Sequence, residues 1–169
     1  MPVSYSMTLG DDRLCQAYFA WVTNRKDSVV VIDSGTFTTV DFVSPKGLLG
    51  GYIFPGPQTY LNSFQRGSDL PILELPEAPK RDILEKTPIN FPDHTRRAIQ
   101  ESLVVFHKGV IDFVYKNFSP DKIILTGGKA PYFLPYFSGE ELSKSNSVEH
   151  KPTYIHEALF QALKDLKKQ

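Results

Sequence analysis

The feature that most constrains the fold is a run of β-branched residues at 28–32, which stops at a polar turn, residues 33–35. Such a run is typical of a strand that is buried on both faces. Residues 36–43 are again strand-like, and a third strand is predicted over 48–54, where Gly50-Gly51 indicates a close backbone approach or a bulge. The short connections predict a three-stranded antiparallel meander.

Helices are predicted on either side of this meander. Apolar residues at helical spacing predict an amphipathic helix over residues 13–22, with Asp12 at its N-cap. After the meander we expect a helix over residues 58–65. Beyond a segment rich in proline and charge, at 66–93, a long helix is predicted from Thr95.

The rest of the chain continues to alternate strand and helix. A buried strand is predicted over residues 122–126, then a short helix over 131–136 and a polar loop over 143–151. An amphipathic helix is predicted over residues 154–166. This order matches one half of an actin-like (ribonuclease H-like) ATPase fold, an α/β class, and we expect residues 1–169 to form a single domain.

The composition argues against several classes of function. Nineteen basic residues balance nineteen acidic ones, so no net field would hold nucleic acid or an anionic membrane. The apolar runs are strand-sized and well short of a membrane-spanning helix. Cys15 is the single cysteine and cannot form an internal disulfide, and no signal-like segment opens the chain. A cytoplasmic location is therefore expected.

The turn that ends the central strand has chemistry suited to phosphate. Gly35 lets the backbone approach an anion closely, and the Thr36 hydroxyl can donate a hydrogen bond to a phosphate oxygen. The Asp33 carboxylate is a hard oxygen ligand for a cation that offsets phosphate charge. Aspartate, serine and glycine are also the usual residues of turns, so the tetrapeptide alone favours an ordinary hairpin.

A second polar motif, Gly10-Asp11-Asp12-Arg13, lies at the predicted start of the first helix. A carboxylate beside an alcohol can act as a general base, while an arginine can hold an anionic group bidentately. Acidic residues at a helix N-terminus are also favoured by the helix dipole, and both interpretations can hold at one helix start.

A third motif is Thr126-Gly127-Gly128, where a predicted strand ends in a double glycine. This shape lets a nucleotide lie against the backbone, and a plain strand-to-helix turn is the alternative. Each motif by itself is unspecific. The order and spacing of the three motifs carry more information than any one of them.

In that order, the motifs resemble the type III pantothenate kinases, an actin-like family that phosphorylates pantothenate to 4'-phosphopantothenate in the first step of coenzyme A biosynthesis. Proteins named Bvg accessory factor resemble the same family. The resemblance runs from about Gly10 to the C-terminus. Further matching motifs are Leu49-Gly50-Gly51, Pro55-Gly56, Thr95 with Ala98-Ile99, and Glu157-Ala158-Leu159.

The resemblance implies a role for each residue of the pantothenate side. Asp12 would be the catalytic base that takes the proton from the pantothenate hydroxyl. Arg13 would bind the pantothenate carboxylate. Gly10, Asp11 and Thr95 would complete the substrate contacts.

The resemblance also implies a nucleotide side. Gly35, Thr36, Gly127 and Gly128 would contact ATP. Asp33 would be the ligand of a monovalent cation, K⁺ or NH₄⁺, and Mg²⁺ would accompany the nucleotide.

The chain also departs from the family's pattern. The family begins with a strand carrying an Asp-x-Gly-Asn-Thr/Ser phosphate loop, whereas nine residues precede Gly10. Because ATP lies between the two halves of an actin-like kinase, we expect this chain alone to be very weakly active or inactive unless a separate N-terminal half pairs with it. Lys129 replaces an acid, Ser102 and Ala158 replace glycines, and Tyr5 is the nearest candidate for a substrate-contacting tyrosine.

The family pattern further implies a homodimer with the pantothenate pocket at the subunit interface. The long helix bearing Phe106, Val110 and Phe113 is either a dimer surface or a core face. His107 is expected to be structural, and Cys15 a small buried residue. Two other functions stay open: a non-catalytic ligand-binding or Bvg accessory factor-like regulatory protein, and a kinase for another small alcohol.

Overall fold

One mixed sheet carries the structure, and its middle strand is the β-branched run. The computed structural model describes residues 1–5, 8–66, 69–75, 91–137 and 147–168. The strands are β1 (Val29–Ser34), β2 (Phe37–Ser44), β3 (Gly47–Pro55), β4 (Lys122–Thr126) and β5 (Ser147–His150). Their order across the sheet is β3-β2-β1-β4-β5. The β1–β2 and β2–β3 pairs are antiparallel, as the predicted meander requires, whereas β1–β4 and β4–β5 are parallel.

Within the described residues, four α-helices cover the two faces of this sheet. They are α1 (Asp11–Thr23), α2 (Pro57–Ser63), α3 (Thr95–Phe118) and α4 (Tyr154–Leu166). One hydrophobic cluster joins β1 and β4 to α1 and the start of α4, and a second joins them to α2 and α3. In the described part of the chain, no helix combines the length and hydropathy of a membrane span.

The side chains of β1 alternate between the two clusters because successive residues of a strand point to opposite faces. Val29 and Val31 pack on the α1 side, and Val30 and Ile32 pack on the α3 side. All four are at most 1% exposed. Burying each side chain contributes about 1.5–3 kcal/mol, so this strand is a large part of both cores.

The long helix α3 starts at the predicted residue and has defined ends. The His94 side chain accepts a hydrogen bond from the Arg97 amide at the N-cap, and Ser119 ends the helix in the left-handed conformation with φ 47°. Of the apolar residues expected on one face, Val110 is buried, whereas Phe113 is 41% exposed. Part of the predicted apolar face of α3 is therefore exposed on the surface of the chain.

Three predictions of local structure were wrong at their boundaries. Gly10, not Asp12, is the N-cap of α1, so Asp12 lies within the first helical turn. The predicted helix 131–136 is two 3₁₀ turns, Ala130–Tyr132 and Leu134–Phe137, because Pro135 has no N–H to continue a helix. The predicted helix over 58–65 ends at Ser63.

The predicted polar loop at 143–151 contains the edge strand β5. Its polar sequence gave no strand pattern, and pairing with β4 is what makes it a strand. Residues 143–146 lie outside the described residues, as do 67, 68 and 76–90 of the predicted irregular segment. The described part of that segment places Leu73 in the α3-side core.

His107 lies in the α3-side core, and its position agrees with a structural role. The ring is 1% exposed, and its Nδ1 lies 2.8 Å from the Leu103 carbonyl oxygen. Burial lowers the pKa of His107 from 6.5 to about 4, outweighing the opposing effect of the Leu103 hydrogen bond. The imidazole is therefore neutral in the folded protein at pH 7.

We predict that the burial of His107 makes the free energy of unfolding decrease in mild acid. The unfolded chain takes up the proton below about pH 6.5, but the folded chain does so only near pH 4. Stability is fully present above pH 6.5 and should decline by about 3 kcal/mol as pH falls to 4. Urea unfolding of the wild type and of His107→Leu measures this, because the variant should lack this part of the pH dependence. His156→Leu, at an exposed position, is the control; equal pH profiles for wild type and His107→Leu would contradict the prediction.

Candidate functional site

The carboxyl ends of the parallel strands β1 and β4 form one edge of the candidate site. Asp33 and Thr126 are register partners there. The Lys129 amide, just past the double glycine, donates a 2.8 Å hydrogen bond to the Ser34 carbonyl oxygen. The predicted cation ligand and the predicted double-glycine nucleotide turn are therefore adjacent.

Gly127 packs directly against the end of β1. Its φ is +88°, and a Cβ there would collide with Asp33 Oδ1 and the Ser34 carbonyl and lie 2.7 Å from the Ser34 amide nitrogen. Only glycine fits this turn without strain. In contrast, a Cβ on Gly128 would meet no atom within 4 Å.

The tip of the β1–β2 hairpin is fixed by the start of α2. The Thr36 carbonyl oxygen accepts hydrogen bonds from the Gly56 amide, at 2.9 Å, and from Thr59 Oγ1, at 2.6 Å. Below the tip, the buried hydroxyls of Ser34 and Thr38 lie 3.1 Å apart. Gly35 and the exposed residue Thr36 are thus held at the same sheet edge as Gly127.

A buried ion pair lies on the α1 face of the sheet, next to this edge. Arg13 Nε lies 3.1 Å from both carboxylate oxygens of Asp41, and Arg13 Nη2 lies 2.5 Å from Oδ1. Arg13 is 5% exposed and Asp41 3%. Removing either partner would leave the other buried and unpaired, which costs about 3–5 kcal/mol.

The electrostatics of this pair follow from its burial. The hydrogen bonds that Arg13 donates to Asp41 raise the pKa of Arg13, so the guanidinium is charged. Burial raises the pKa of the Asp41 carboxyl, while the hydrogen bonds from Arg13 oppose that rise. Gly51 makes room for the pair, since a Cβ there would collide with Asp41 Oδ1 and lie 2.9 Å from Arg13 Nη2. On the other side, the Arg13 Cζ atom lies 5.2 Å from the centroid of the Tyr5 ring.

Gln16 connects α1 to the end of β1. Its Nε2 donates a 2.6 Å hydrogen bond to Asp33 Oδ2. The residue is 3% exposed, and its Oε1 has no hydrogen-bond partner in the described part of the chain. Because Arg13 and Gln16 are three residues apart on one helix, both reach the same face of the sheet.

The helix start places further carboxylates near this network. Asp11 and Asp12 are exposed in the first turn of α1. The charges of Asp12 and Asp33 both contribute to raising the pKa of Asp41, so the three carboxylates lie within electrostatic reach of one another. Cys15, one turn further on, is half-buried rather than fully buried.

Thr95, predicted to contact the same substrate as Asp12, occupies a different place. It begins α3, which covers the opposite face of the sheet from α1. The structure thus places together Asp33, Gly35, Thr36 and Gly127, with Gly128 beside them and α1 alongside, whereas Thr95 lies on the other side of the sheet.

The donor atoms near Asp33 are oxygens of a carboxylate and an amide. The described residues contain no group of three or more His, Cys, Asp or Glu side chains arranged to hold a metal ion. The Asp33 carboxylate and the unpartnered Gln16 Oε1 are nevertheless hard oxygen donors in one network. Oxygen donors of this kind are the ones that hard cations use in proteins.

Comparison with known proteins places this arrangement in a family. A family model described as Type III pantothenate kinase matches residues 1–117. The chain belongs to the type III pantothenate kinase family. Relatives named type III pantothenate kinase from Desulforapulum autotrophicum and Myxococcus xanthus are 34% and 33% identical over 139 residues, which are 77% of this chain and 50% of each relative. The chain thus spans about half the length of these relatives.

A solved structure supports the fold found for this member of the type III pantothenate kinase family. A Campylobacter jejuni protein described as a conserved Baf family transcriptional activator superposes with a TM-score of 0.68 over 100% of this chain and 70% of its own, at 21% identity. The predicted actin-like α/β fold is confirmed.

The close backbone approach predicted at Gly50-Gly51 is found at Gly51. Two other residues of the site, Asp41 and Gln16, have no role assigned from the sequence. Their signal in the sequence is faint. Arg13 and Gln16 interrupt the apolar face of α1 at helical spacing, and Asp41 interrupts a strand at a position that the structure buries. A charged residue at a buried position of a strand needs a partner, but the sequence does not say which one.

We predict that the neighbouring substitutions Gly127→Ala and Gly128→Ala have very different effects on the free energy of unfolding of this pantothenate kinase family member. Gly127→Ala should lower the free energy of unfolding by about 2–3 kcal/mol, because it combines a positive φ with collisions against Asp33 and Ser34. Gly128→Ala should change it by less than about 0.5 kcal/mol. Chemical denaturation measures both, and equal losses would contradict the packing described for this turn.

Proposed function

We propose that this chain is the C-terminal part of a kinase that transfers the γ-phosphoryl group of ATP to the primary alcohol of pantothenate. Family membership supports the reaction class. The observation that carries the proposal is the convergence of Asp33, Gly35, Thr36 and the Gly127 turn at one sheet edge. In this proposal residues 1–169 form a single cytoplasmic domain.

The start of α1 supplies the groups for the pantothenate side. Asp12 is exposed in the first helical turn, so its carboxylate is available to take the proton from an alcohol. Arg13 is held rigidly, because Asp41 binds its Nε and Nη2. We assign the guanidinium of Arg13, next to the Tyr5 ring, to the pantothenate carboxylate, and Gly10 and Asp11 to further pantothenate contacts.

The sheet edge supplies the groups for the nucleotide side. Gly35, Thr36, Gly127 and Gly128 would contact ATP through close approach of the backbone and through the Thr36 hydroxyl. Asp33 would hold K⁺ or NH₄⁺. The monovalent cation and Mg²⁺, when bound, would offset the charge of the phosphates, whose in-line transfer depends mainly on positioning and electrostatics.

The proposed ATP site needs a second set of phosphate contacts in addition to those of this chain. Since the chain spans half the length of its relatives, we infer that a phosphate loop on an N-terminal half completes the ATP site. On this proposal, the described chain binds ligands weakly by itself and turns over only when that half is present. A non-catalytic role as a ligand-binding or regulatory homologue is the second candidate.

We also propose a homodimer through the groove between β3 and α3. The groove has a volume of about 490 Å³ and is lined by Tyr52, Phe54, Val105, Phe106, Gly109, Val110 and Phe113. Val105 is 72% exposed and Phe113 41%. Because Asp12 and Thr95 start helices on opposite faces of the sheet, a pantothenate pocket using both is best built from two subunits.

The reaction is tested by supplying the N-terminal half of the Desulforapulum relative in trans and measuring phosphoryl transfer from ATP to pantothenate. Asp12→Asn should lower kcat by about 10²–10⁴-fold because it removes the base. Asp112→Asn, an exposed position on α3, should leave kcat unchanged. Equal turnover by Asp12→Asn and the wild type would disprove the role of Asp12. Pantothenate binding without turnover would favour the non-catalytic role.

The dimer is tested by Val105→Glu, which places a charge in the centre of the apolar groove. We expect the wild-type chain to sediment as a dimer and the variant as a monomer, because a buried unpaired charge is costly. Phe160→Glu, at a 71% exposed position of α4, is the control and should stay dimeric. Sedimentation velocity measures all three, and a monomeric wild type would refute the dimer.

A further inference from the structure

The amide of Gln16 has one satisfied end and one unsatisfied end. Its Nε2 lies 2.6 Å from Asp33 Oδ2, and its Oε1 is buried without a hydrogen-bond partner in the described part of the chain. Exchanging the two ends would bring an oxygen against the carboxylate oxygen at that same distance, which repulsion forbids. The orientation of the amide is therefore fixed by Asp33.

Packing alone does not favour glutamine at this position. The residue is 3% exposed on the α1 face of the sheet, where Ala17 and Ala20 are fully buried neighbours. A methionine of similar length would fill the space without burying an unpaired oxygen, which is unfavourable in a protein interior. The hydrogen bond to Asp33 is the feature of this side chain that a methionine would lack.

This hydrogen bond sets the orientation of the Asp33 carboxylate. Oδ2 is held towards α1, and Oδ1 lies against the Gly127 turn, so close that a Cβ on Gly127 would collide with it. The Gln16 hydrogen bond restricts rotation of the carboxylate. It leaves Oδ1 at the carboxyl end of β1, next to Gly35 and Thr36 in the chain.

We propose that Gln16 is a positioning residue that orients Asp33 for the monovalent cation. The inference rests on the proposed function, in which Asp33 is the cation ligand. Gln16 acts through Asp33, and its unpartnered Oε1 is a further oxygen in the network around that ligand. Because α1 also carries Asp12 and Arg13, the same contact ties the proposed pantothenate side to the cation side.

The experiment measures the thermal stability of the full chain as KCl replaces choline chloride at constant ionic strength. The wild type should gain stability with K⁺, and Asp33→Asn should not respond. Gln16→Met should melt within about 3 °C of the wild type without K⁺. It should also need about tenfold more K⁺ for half of the stabilisation, the loss expected for one charge-assisted hydrogen bond.

A matched control comes from α4, where Gln161 Nε2 also lies 2.6 Å from an aspartate oxygen, Asp165 Oδ2. Gln161→Met removes the same kind of bond far from Asp33 and should keep the wild-type K⁺ response. Anomalous scattering from Tl⁺ soaked into crystals would locate the ion directly beside Asp33 in the wild type.

Three results would overturn the proposal: a wild-type chain without a K⁺ response, a Gln16→Met chain with the wild-type response, or a Tl⁺ ion bound away from Asp33. Failure of the proposed function is a separate result. The absence of phosphoryl transfer to pantothenate would refute the kinase reaction, while the K⁺ response would still report on Gln16 and Asp33.

Discussion

The burial of β1 on both faces is the constraint on which the rest of the structure depends. Its apolar residues belong alternately to two hydrophobic clusters. Loss of the helices on either face would therefore expose the centre of the sheet to solvent. The strand also pairs with β2 on one side and β4 on the other. Because every layer meets at this strand, the polar residues at its carboxyl end are held by a strand that is packed on both faces.

The candidate site lies where this apolar strand turns polar. Asp33 is the first carboxylate after the buried run, and three features fix it: the Gln16 amide, the close approach of Gly127, and the pairing with Thr126. One helical turn away, Arg13 binds Asp41 on the neighbouring strand. Helix α1 is thus attached to the sheet by two polar contacts in addition to its apolar packing. The first turn of α1, which carries Asp12, is positioned by both contacts.

In the proposed function, this arrangement is one side of a two-sided kinase site. Phosphoryl transfer depends on charges and donors held in place before the reaction, and the buried contacts of Arg13 and Gln16 would hold this chain's share of them. The separation of Asp12 from Thr95 by the sheet is consistent with a pocket shared between subunits. The apolar groove between β3 and α3 gives the surface on which we propose that a second subunit packs.

The sequence by itself determined the elements and the family. The β-branched run, the helical spacing of α1, α3 and α4, and the glycines that end β3 and β4 are local patterns, because backbone period and turn conformation act over a few residues. The family resemblance followed from the order of such local motifs. Local patterns did not find β5, which is a strand only through its neighbour β4.

The tertiary structure alone decided which polar groups meet. That Arg13 pairs with Asp41, that Gln16 holds Asp33, and that Gly51 and Gly127 must lack a side chain depend on residues 10 to 94 positions apart. The turn at 33–36 is by composition an ordinary hairpin. The fold makes it one side of a candidate phosphate site by bringing Gly127 and α1 against it, because packing across the sheet, unlike turn chemistry, is set by the whole chain.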